Sequence, residues 1–384
     1  MQFGLSESQQ ILKDTARRFF SGECPMAQVR RLMETPTAYD AALWTKLAEQ
    51  GFTGIVSPEE YGGMGLGKVE LILLMEEAGY ALLPGPFFST VALAGPVIDA
   101  VASPEQKKKY LSRIAGGQAR ATVALLETGA GWDPADAKLQ AAGDKLTGTK
   151  LFVSDAAAAD FIVVIARNGV FAVDAKAPGL RVEPMKGMDL TRKIYSVEFA
   201  ATPAERLGGT ENLGHALALA TAALAAEMAG GMQRALETTV AYAKTRKQFG
   251  KPIGIYQAVQ HQCADMYLET ESSRSAAYYA AWTLEENTSD ALAAVSIAKM
   301  YASDAARTVG NRGIQVHGGM GFTWENDLHL YYRRAKASET MLGDATFHRE
   351  RIARLVIDRA ANQGKPAISK QVEMVARRWP LPPF

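Results

Sequence analysis

Two segments of the sequence combine residue types that could hold a ligand. In residues 242–266 a helical pattern is broken at 249–252 and then resumes, and Arg246 lies just before the break. In residues 315–353 the turn 318–321 is dense enough in glycine to bring backbone N–H groups against a ligand. Taken alone, each segment also fits a tight helical hairpin or a glycine turn between helices.

Patterns typical of other chemistries are weak. The five histidines lack H-x-x-x-H or H-E-x-x-H spacing, so we predict no metal site. Two cysteines, Cys24 and Cys263, cannot build a disulfide scaffold or a four-thiolate zinc site. No Gly-x-Ser-x-Gly elbow occurs, and the glycines of 62–67 have the wrong spacing for a dinucleotide fingerprint. If a dinucleotide binds, it binds without the usual phosphate loop.

The composition excludes several classes of partner. Across 384 residues, 42 Lys and Arg balance 41 Asp and Glu, which argues against nucleic acid as the main partner. No run of about 18 consecutive apolar residues exists, which predicts no membrane span. The N-terminal residues lack the basic start and apolar stretch of a signal peptide. We therefore expect a cytoplasmic protein.

The elements that would position the two segments fall into three groups. Helical patterning covers 5–20, 40–50, 68–82, 104–115, 216–245, 257–286, 288–310 and 345–360. Short runs rich in Val, Ile, Phe and Thr predict strands at 121–126, 146–154, 161–167, 169–174 and 195–200. Because strands and helices do not alternate, a doubly wound sheet is not expected. We predict an α+β fold with helices in 1–117, a β-domain in 118–206 and a helical bundle in 207–384.

Taken together and in order, the two segments resemble the hallmarks of the acyl-CoA dehydrogenase family. The first resembles YAxxRxQFGxPIxxxQxVQHxLADM, matched by Tyr242, Arg246, Gln248, Phe249, Gly250, Pro252, Ile253, Gln257, Val259, Gln260, His261, Ala264, Asp265 and Met266. The second resembles Q-x-x-GG-x-G-F-T-x-E followed by R-x-A-K, matched by Gln315, Gly318, Gly319, Gly321, Phe322, Thr323, Glu325, Arg333, Ala335 and Lys336. Segments 57–67 and 125–133 are similar to family segments as well, so the resemblance covers nearly the whole chain.

The resemblance implies both a fold and a reaction. The fold has a helical N-terminal domain, a central β-domain and a C-terminal four-helix bundle. The reaction is α,β-dehydrogenation of an acyl-CoA thioester, in which a carboxylate removes the α-proton and the β-hydrogen leaves as hydride to FAD. The family also implies an oligomer and an electron-transferring flavoprotein as the electron acceptor.

Positions of FAD contacts can be carried over by motif. The β-domain contacts would be the backbone around Leu125 and Leu126, then Trp132, Phe152 and Ser154. The bundle of a neighbouring subunit would supply Arg246, Phe249, Gln257, Gln315 and Gly319. Arg246 is the expected partner of the pyrophosphate, since a fixed cation can replace a glycine-rich anion site. Asp344 occupies another place that often contacts FAD in the family.

The catalytic carboxylate is missing from both places where the family carries it. The commonest place corresponds to Leu342, in the turn Met341-Leu342-Gly343-Asp344. The place used by a second branch corresponds to Ala220, and the substrate-side arginine that follows it corresponds to Thr221. In the β-domain, Leu126 and Trp132 stand where hydroxyl-bearing residues are usual, and Phe152 replaces the usual Trp. Leu and Trp cannot donate hydroxyl hydrogen bonds to a flavin.

These departures leave three hypotheses. In the first, the chain is one subunit of a heteromeric acyl-CoA dehydrogenase, a heterotetramer whose homologous subunit carries the base. In the second, the chain forms a homo-oligomer and acts alone with a displaced base, for which Asp344 and Glu339 are candidates. In the third, it binds acyl-CoA or flavin without dehydrogenating. Asp344 is one methylene shorter than a glutamate, and a structural or cofactor-binding role is an equal alternative for it.

Overall fold

The N-terminal part of the chain is helical. A computed structural model describes residues 4–358. The helices are α1 (Glu7–Glu23), α2 (Met26–Met33), α3 (Ala41–Glu49), α4 (Lys68–Tyr80), α5 (Gly95–Val101) and α6 (Pro104–Ala115). A π-helical turn, Phe88–Ala94, leads into α5. Capping boxes begin α1 at Ser6 and α6 at Ser103, which satisfies backbone N–H groups at each helix start.

The middle of the chain forms two four-stranded sheets. The strands are β1 (Ala121–Ala124), β2 (Ala141–Ala142), β3 (Lys145–Ser154), β4 (Phe161–Ala166), β5 (Gly169–Asp174), β6 (Leu180–Met185), β7 (Ile194–Pro203) and β8 (Glu205–Gly208). One sheet has the order β1-β4-β5-β8 and the other has the order β2-β3-β7-β6. Only β1 and β4 pair in parallel within these two sheets.

The first sheet is buried on both faces. Ile162 and Val164 on β4 share one apolar cluster with Val197 and Phe199 of the second sheet. The intervening residues of β4 face the opposite way and join the large core formed by the helices. A strand that is apolar on both faces therefore marks a central layer, between the second sheet and the helices.

The C-terminal part is a bundle of long helices. They are α7 (Leu213–Thr245), α8 (Gln257–Glu285), α9 (Ala291–His317), α10 (Leu328–Thr340) and α11 (Ala345–Ala353), which continues as a π-helical turn, Arg354–Asp358. Helix α7 is long and apolar enough to cross a membrane, but 83% of its most apolar window is buried inside the protein. It is built as a core helix, and its burial accounts for its composition.

Two glycines bring α4 and α7 unusually close together. A Cβ on Gly79 of α4 would lie 2.0 Å from the Glu227 carbonyl oxygen, and one on Gly230 of α7 would lie 1.8 Å from that of Glu76. The backbones therefore touch directly at this crossing, which connects the N-terminal helices to the bundle.

The predicted fold class is confirmed: helices, a β-domain and helices follow one another along the chain. The break between α7 and α8 is a small hairpin, β9 (Lys247–Gln248) and β10 (Lys251–Pro252). Helix α9 runs seven residues further than predicted, so that Gln315 lies on a helix and not in the glycine turn. The division at residues 117 and 206 stays our proposed domain assignment, and residues 359–384 of its last part lie outside the described residues.

Candidate active site

The turn between α10 and α11 contains Leu342, which we predict to occupy the position of the family's base. Leu342 is 7% exposed and adopts a left-handed backbone with φ of +57°, which is uncommon for a leucine. Its carbonyl oxygen accepts a hydrogen bond from His348 Nε2 at 3.0 Å. The next carbonyl, on Gly343, accepts from Lys299 Nζ at 2.8 Å. Two side chains from beneath thus fix the turn.

Both supporting side chains are buried bases. Burial lowers the pKa of Lys299 to about 7, and its amine also donates to the Glu339 carbonyl and to Ser303 Oγ. Burial, followed by the nearby Lys299, lowers the pKa of His348 to about 4. His348 is therefore neutral near pH 7 and acts as a hydrogen-bond donor.

The predicted β-domain residues lie together beside this turn. Leu125, Leu126, Trp132, Phe152 and Ser154 all line one narrow cavity of about 20 Å³, and Leu342 lines it too. A larger cavity of about 530 Å³ opens from the same wall and is bounded across the gap by the end of α10. The fold therefore brings together five residues that were predicted from matched segments and are up to 29 positions apart in sequence. They lie next to Leu342, the predicted base position.

A buried lysine holds the first part of this wall in place. Lys150 Nζ donates to the Leu125 carbonyl at 2.8 Å and to the Ile165 carbonyl at 2.7 Å, and it pairs with Glu127 at 2.5 Å. Glu127 also accepts the backbone N–H groups of Lys138 and Leu139. The backbone at Leu125 is thereby fixed next to the cavity.

The other candidate base positions lie differently. Ala220 is completely buried in α7, where it contacts no described cavity. Asp344 is exposed and accepts from Phe347 N at 2.8 Å, so that it caps the start of α11. Glu339 pairs with Lys336 at 2.5 Å and with Arg307 at 3.3 Å. Neither carboxylate lines a cavity that contains Leu342.

The predicted bundle residues cluster at a different place. The end of α7, the β9–β10 hairpin, the start of α8 and the end of α9 meet around Tyr242, which stacks on His317 with ring centroids 4.3 Å apart. This end of the bundle carries Arg246, Phe249, Gln257, Gln315 and Gly319. Phe249 is 84% exposed, and none of the five lines the cavities beside Leu342. The chain thus carries two separate groups of predicted FAD residues.

Sequence reasoning missed Lys299, His348 and Arg351, all close to the turn. The sequence around Lys299 contained a sign that this lysine is buried, because the residues three and four positions away on α9 are small and largely buried. A lysine on such a stripe must find buried acceptors. His348 and Arg351 lie on a helix that was predicted, but their neighbours come from distant parts of the chain.

The residues around the larger cavity fit a flavin. Trp132, Phe152 and Met188 provide apolar and aromatic surface for a flat ring system, and Lys336 and Arg192 supply positive charge at its edge. Ser154 contributes a hydroxyl there. FAD would be held here by Ser154, by Phe152 and by the backbone of Leu126, while Leu125 lines the adjoining narrow cavity.

Comparisons with known proteins agree with this arrangement. Family models described as "Acyl-CoA dehydrogenase, N-terminal domain" and "Acyl-CoA dehydrogenase, C-terminal domain" match residues 6–118 and 208–357. Acyl-CoA dehydrogenase IpdE2 of Mycolicibacterium smegmatis is 33% identical over 353 residues, covering 91% of this chain and 98% of that protein.

Two solved structures are similar over nearly their whole length. The ChsE4–ChsE5 complex from Mycobacterium tuberculosis matches with a TM-score of 0.86 and 30% identity, covering 93% of this chain and 99% of that one. PigA with FAD and proline matches with a TM-score of 0.84 and 28% identity, covering 94% and 100%. From the matched domains and the identity along the chain, this protein belongs to the acyl-CoA dehydrogenase family of FAD-dependent oxidoreductases, which act on a CH–CH group.

Proposed function

We propose that this chain is one subunit of a heteromeric acyl-CoA dehydrogenase, whose homologous subunit supplies the catalytic carboxylate. The observation that carries the proposal is Leu342: the base position is apolar, buried and fixed in place. Among residues 4–358, no carboxylate lines the narrow cavity that Leu342 shares with Trp132 and Phe152. Leu342 therefore places no proton-abstracting group at the predicted base position, and no carboxylate adjoins it in that narrow cavity.

The reaction of the assembly is α,β-dehydrogenation of an acyl-CoA thioester, for which bound FAD supplies the hydride acceptor. In this chain, Trp132, Phe152 and Ser154 would bind and orient the ring system in the larger cavity. Arg246, Phe249 and Gln257 would contact the flavin of a neighbouring subunit. An electron-transferring flavoprotein as acceptor and a cytoplasmic location complete the proposal.

Three observations support a shared assembly. The predicted bundle contacts lie away from the cavities of their own chain, so they serve this reaction only if another chain is adjacent. Phe249 and Phe322 are 84% and 79% exposed near that end of the bundle, and large apolar side chains this exposed are typical of interaction surfaces. The structurally similar ChsE4–ChsE5 complex contains two differently named subunits.

The proposal predicts different rates for the chain alone and for the assembly. We expect the chain alone to reduce its FAD with butyryl-CoA about 10²–10⁴-fold more slowly than its complex with a homologous subunit that has a glutamate at the turn, because a positioned base contributes about that factor. Leu342→Glu should raise the rate of the chain alone. Anaerobic bleaching of the flavin absorbance measures each rate.

Leu342→Gln is the matched control, since it has the size of glutamate without its charge, and it should leave the rate low. Fast turnover by the pure wild-type chain would contradict the heteromeric assignment. Asp344→Asn and Glu339→Gln would then show whether either residue is a displaced base. A complex that binds flavin and acyl-CoA but reduces nothing would support a binding protein without dehydrogenase activity.

A further inference from the structure

A third cavity, of about 280 Å³, is lined by Leu342 and shares Trp132 with the flavin-sized cavity. The start of α7, the loop after β1 and one face of α11 form its walls. Trp132 and Leu342 also line the narrow cavity, so this third cavity adjoins the reaction centre directly. Both polar and apolar residues line it, and Leu342 is one of the apolar residues.

Arg351 is the single cation that lines this cavity among the described residues. It lies one helical turn after Phe347 on α11, and both side chains face the cavity because residues four apart share a helix face. Within residues 4–358, its guanidinium donates no hydrogen bond to another side chain or carbonyl and has no carboxylate oxygen within 4.0 Å. Two neighbouring arginines do have partners: Arg349 on α11 pairs with Asp304, and Arg354, directly after α11, pairs with Glu350.

The surroundings of Arg351 favour an anionic ligand. Burial lowers the pKa of Arg351, and Asp133 opposes that effect from across the cavity. Asp133 is itself engaged, because its side chain accepts from Ala135 N at 3.0 Å. The Thr221 hydroxyl is also used, since it donates to the Leu217 carbonyl at 2.7 Å. A partly desolvated guanidinium with five donors is thus left facing the cavity.

We propose that Arg351 binds an anionic oxygen group of the acyl-CoA and so holds the thioester beside Leu342. The group is a phosphate of the CoA part or a carboxylate on the acyl chain, and both present paired oxygens that suit a guanidinium. This inference rests on the proposed function, because it needs an acyl-CoA in the cavity. It adds a recognition residue on α11 that no matched motif contains.

Calorimetric titration of the full chain tests the proposal independently of flavin and turnover. The probes are CoA, butyryl-CoA and glutaryl-CoA, of which only glutaryl-CoA carries a carboxylate on its acyl group. Arg351→Gln should weaken binding about 10-fold or more, because a charged hydrogen bond is lost. Arg351→Lys should retain part of the affinity, and Arg349→Gln, on the same helix, should leave it unchanged.

The pattern of losses identifies the ligand group. Equal weakening for all three probes assigns Arg351 to a CoA phosphate, whereas weakening for glutaryl-CoA alone assigns it to an acyl carboxylate. Unchanged affinity of Arg351→Gln for every probe overturns the inference and leaves the proposed function standing. If the wild-type chain binds no probe, either alone or with its homologous subunit, both are overturned.

Discussion

At the scale of single residues, the turn at Leu342 is supported by two buried bases, Lys299 and His348, whose pKa values burial lowers to about 7 and about 4. His348 is fully buried, its Nε2 donates to the Leu342 carbonyl, and the Lys299 amine holds the next carbonyl. A helix residue beneath a turn can thus hold a leucine in a left-handed conformation that it rarely adopts. These two hydrogen bonds fix the backbone of the turn at Leu342 and Gly343.

Because His348 has a pKa of about 4 in the folded chain and about 6.5 unfolded, its contribution to stability is present above pH 6.5 and is lost as the pH falls through 4. We expect the free energy of unfolding to fall by up to about 3 kcal/mol across that window. His348→Gln keeps a hydrogen-bond donor that does not titrate, so the free energy of unfolding of this variant should fall less than that of the wild type over the same pH range. Urea unfolding at pH 7 and pH 4.5 measures the difference.

His261 provides the control, since it is exposed on α8. The free energy of unfolding of His261→Gln should fall between pH 7 and pH 4.5 by as much as that of the wild type. Equal pH dependence of His348→Gln and wild type would show that another group causes the acid sensitivity.

Motif spacing could predict the β-domain wall of the site but not its support. Trp132, Phe152 and Leu342 were placed from matched segments, and the fold brings them to one cavity. Lys299 and His348 act through carbonyls of the turn, 40 or more residues away from Lys299 in sequence. The Lys299 bonds reach backbone that is distant in sequence, and the His348 bond to Leu342, six residues before it, matches no helix or strand spacing, which is why spacing missed both.

At the scale of elements, the close crossing of α4 and α7 requires a glycine on each helix, because a side chain at that point would meet the backbone of the other helix. Gly230→Ala would place a methyl group 1.8 Å from the Glu76 carbonyl oxygen, and neither backbone can yield without moving its helix. We expect a loss of about 3 kcal/mol or more in the free energy of unfolding. Urea unfolding monitored by circular dichroism measures it.

The next residue is a close control. A Cβ on Gly231 would meet its nearest atoms at 3.8 Å, an ordinary contact. Gly231→Ala should therefore stabilise α7 by about 0.5–1 kcal/mol, the usual gain of alanine over glycine in a helix. Equal effects of the two substitutions would show that the helices do not touch there.

Most helices and strands were predicted from the sequence, short ones among them, but some were not, including β6 and α10. Helices α4, α7 and α8 have uninterrupted apolar or helix-forming runs, and β4 is apolar throughout. Strand β6 was not predicted because it contains Pro184. The proline is tolerated there because β6 is an edge strand. Helix α10 was not predicted because the charged Arg334 lies on its buried face and interrupts the amphipathic pattern.

At the scale of the whole molecule, a buried ionic network connects the three parts of the fold. Arg334 on α10 pairs with Asp189 of the β-domain and with Glu227 of α7 at 2.8 Å, and it donates to the Leu83 carbonyl of the N-terminal part at 3.3 Å. Arg192 pairs with the same Glu227 oxygen at 2.5 Å. Each of these charged residues is at most 6% exposed.

Arg334→Met should cost about 3–5 kcal/mol of unfolding free energy, because it leaves two buried carboxylates less compensated. The adjacent Arg333 is less buried and contacts Met188 O only at 3.5 Å, so Arg333→Met should cost under about 1 kcal/mol. Thermal and urea unfolding of both variants measure the costs. Similar losses for the two arginines would mean that the network contributes little to the packing of the three parts.

The distance between the two groups of predicted FAD residues bears on how such a chain evolves. In an assembly encoded by one gene, every copy contributes the same two halves, and a defect in either half damages every site. In the assembly proposed here, the bundle end of this chain completes a site whose glutamate is encoded elsewhere. Selection would preserve Arg246, Phe249 and Gln257 through the activity of the neighbour, while Leu126, Trp132 and Leu342 drift from the ancestral pattern. A gene can lose the catalytic base of its own site and still be retained for the site that it completes.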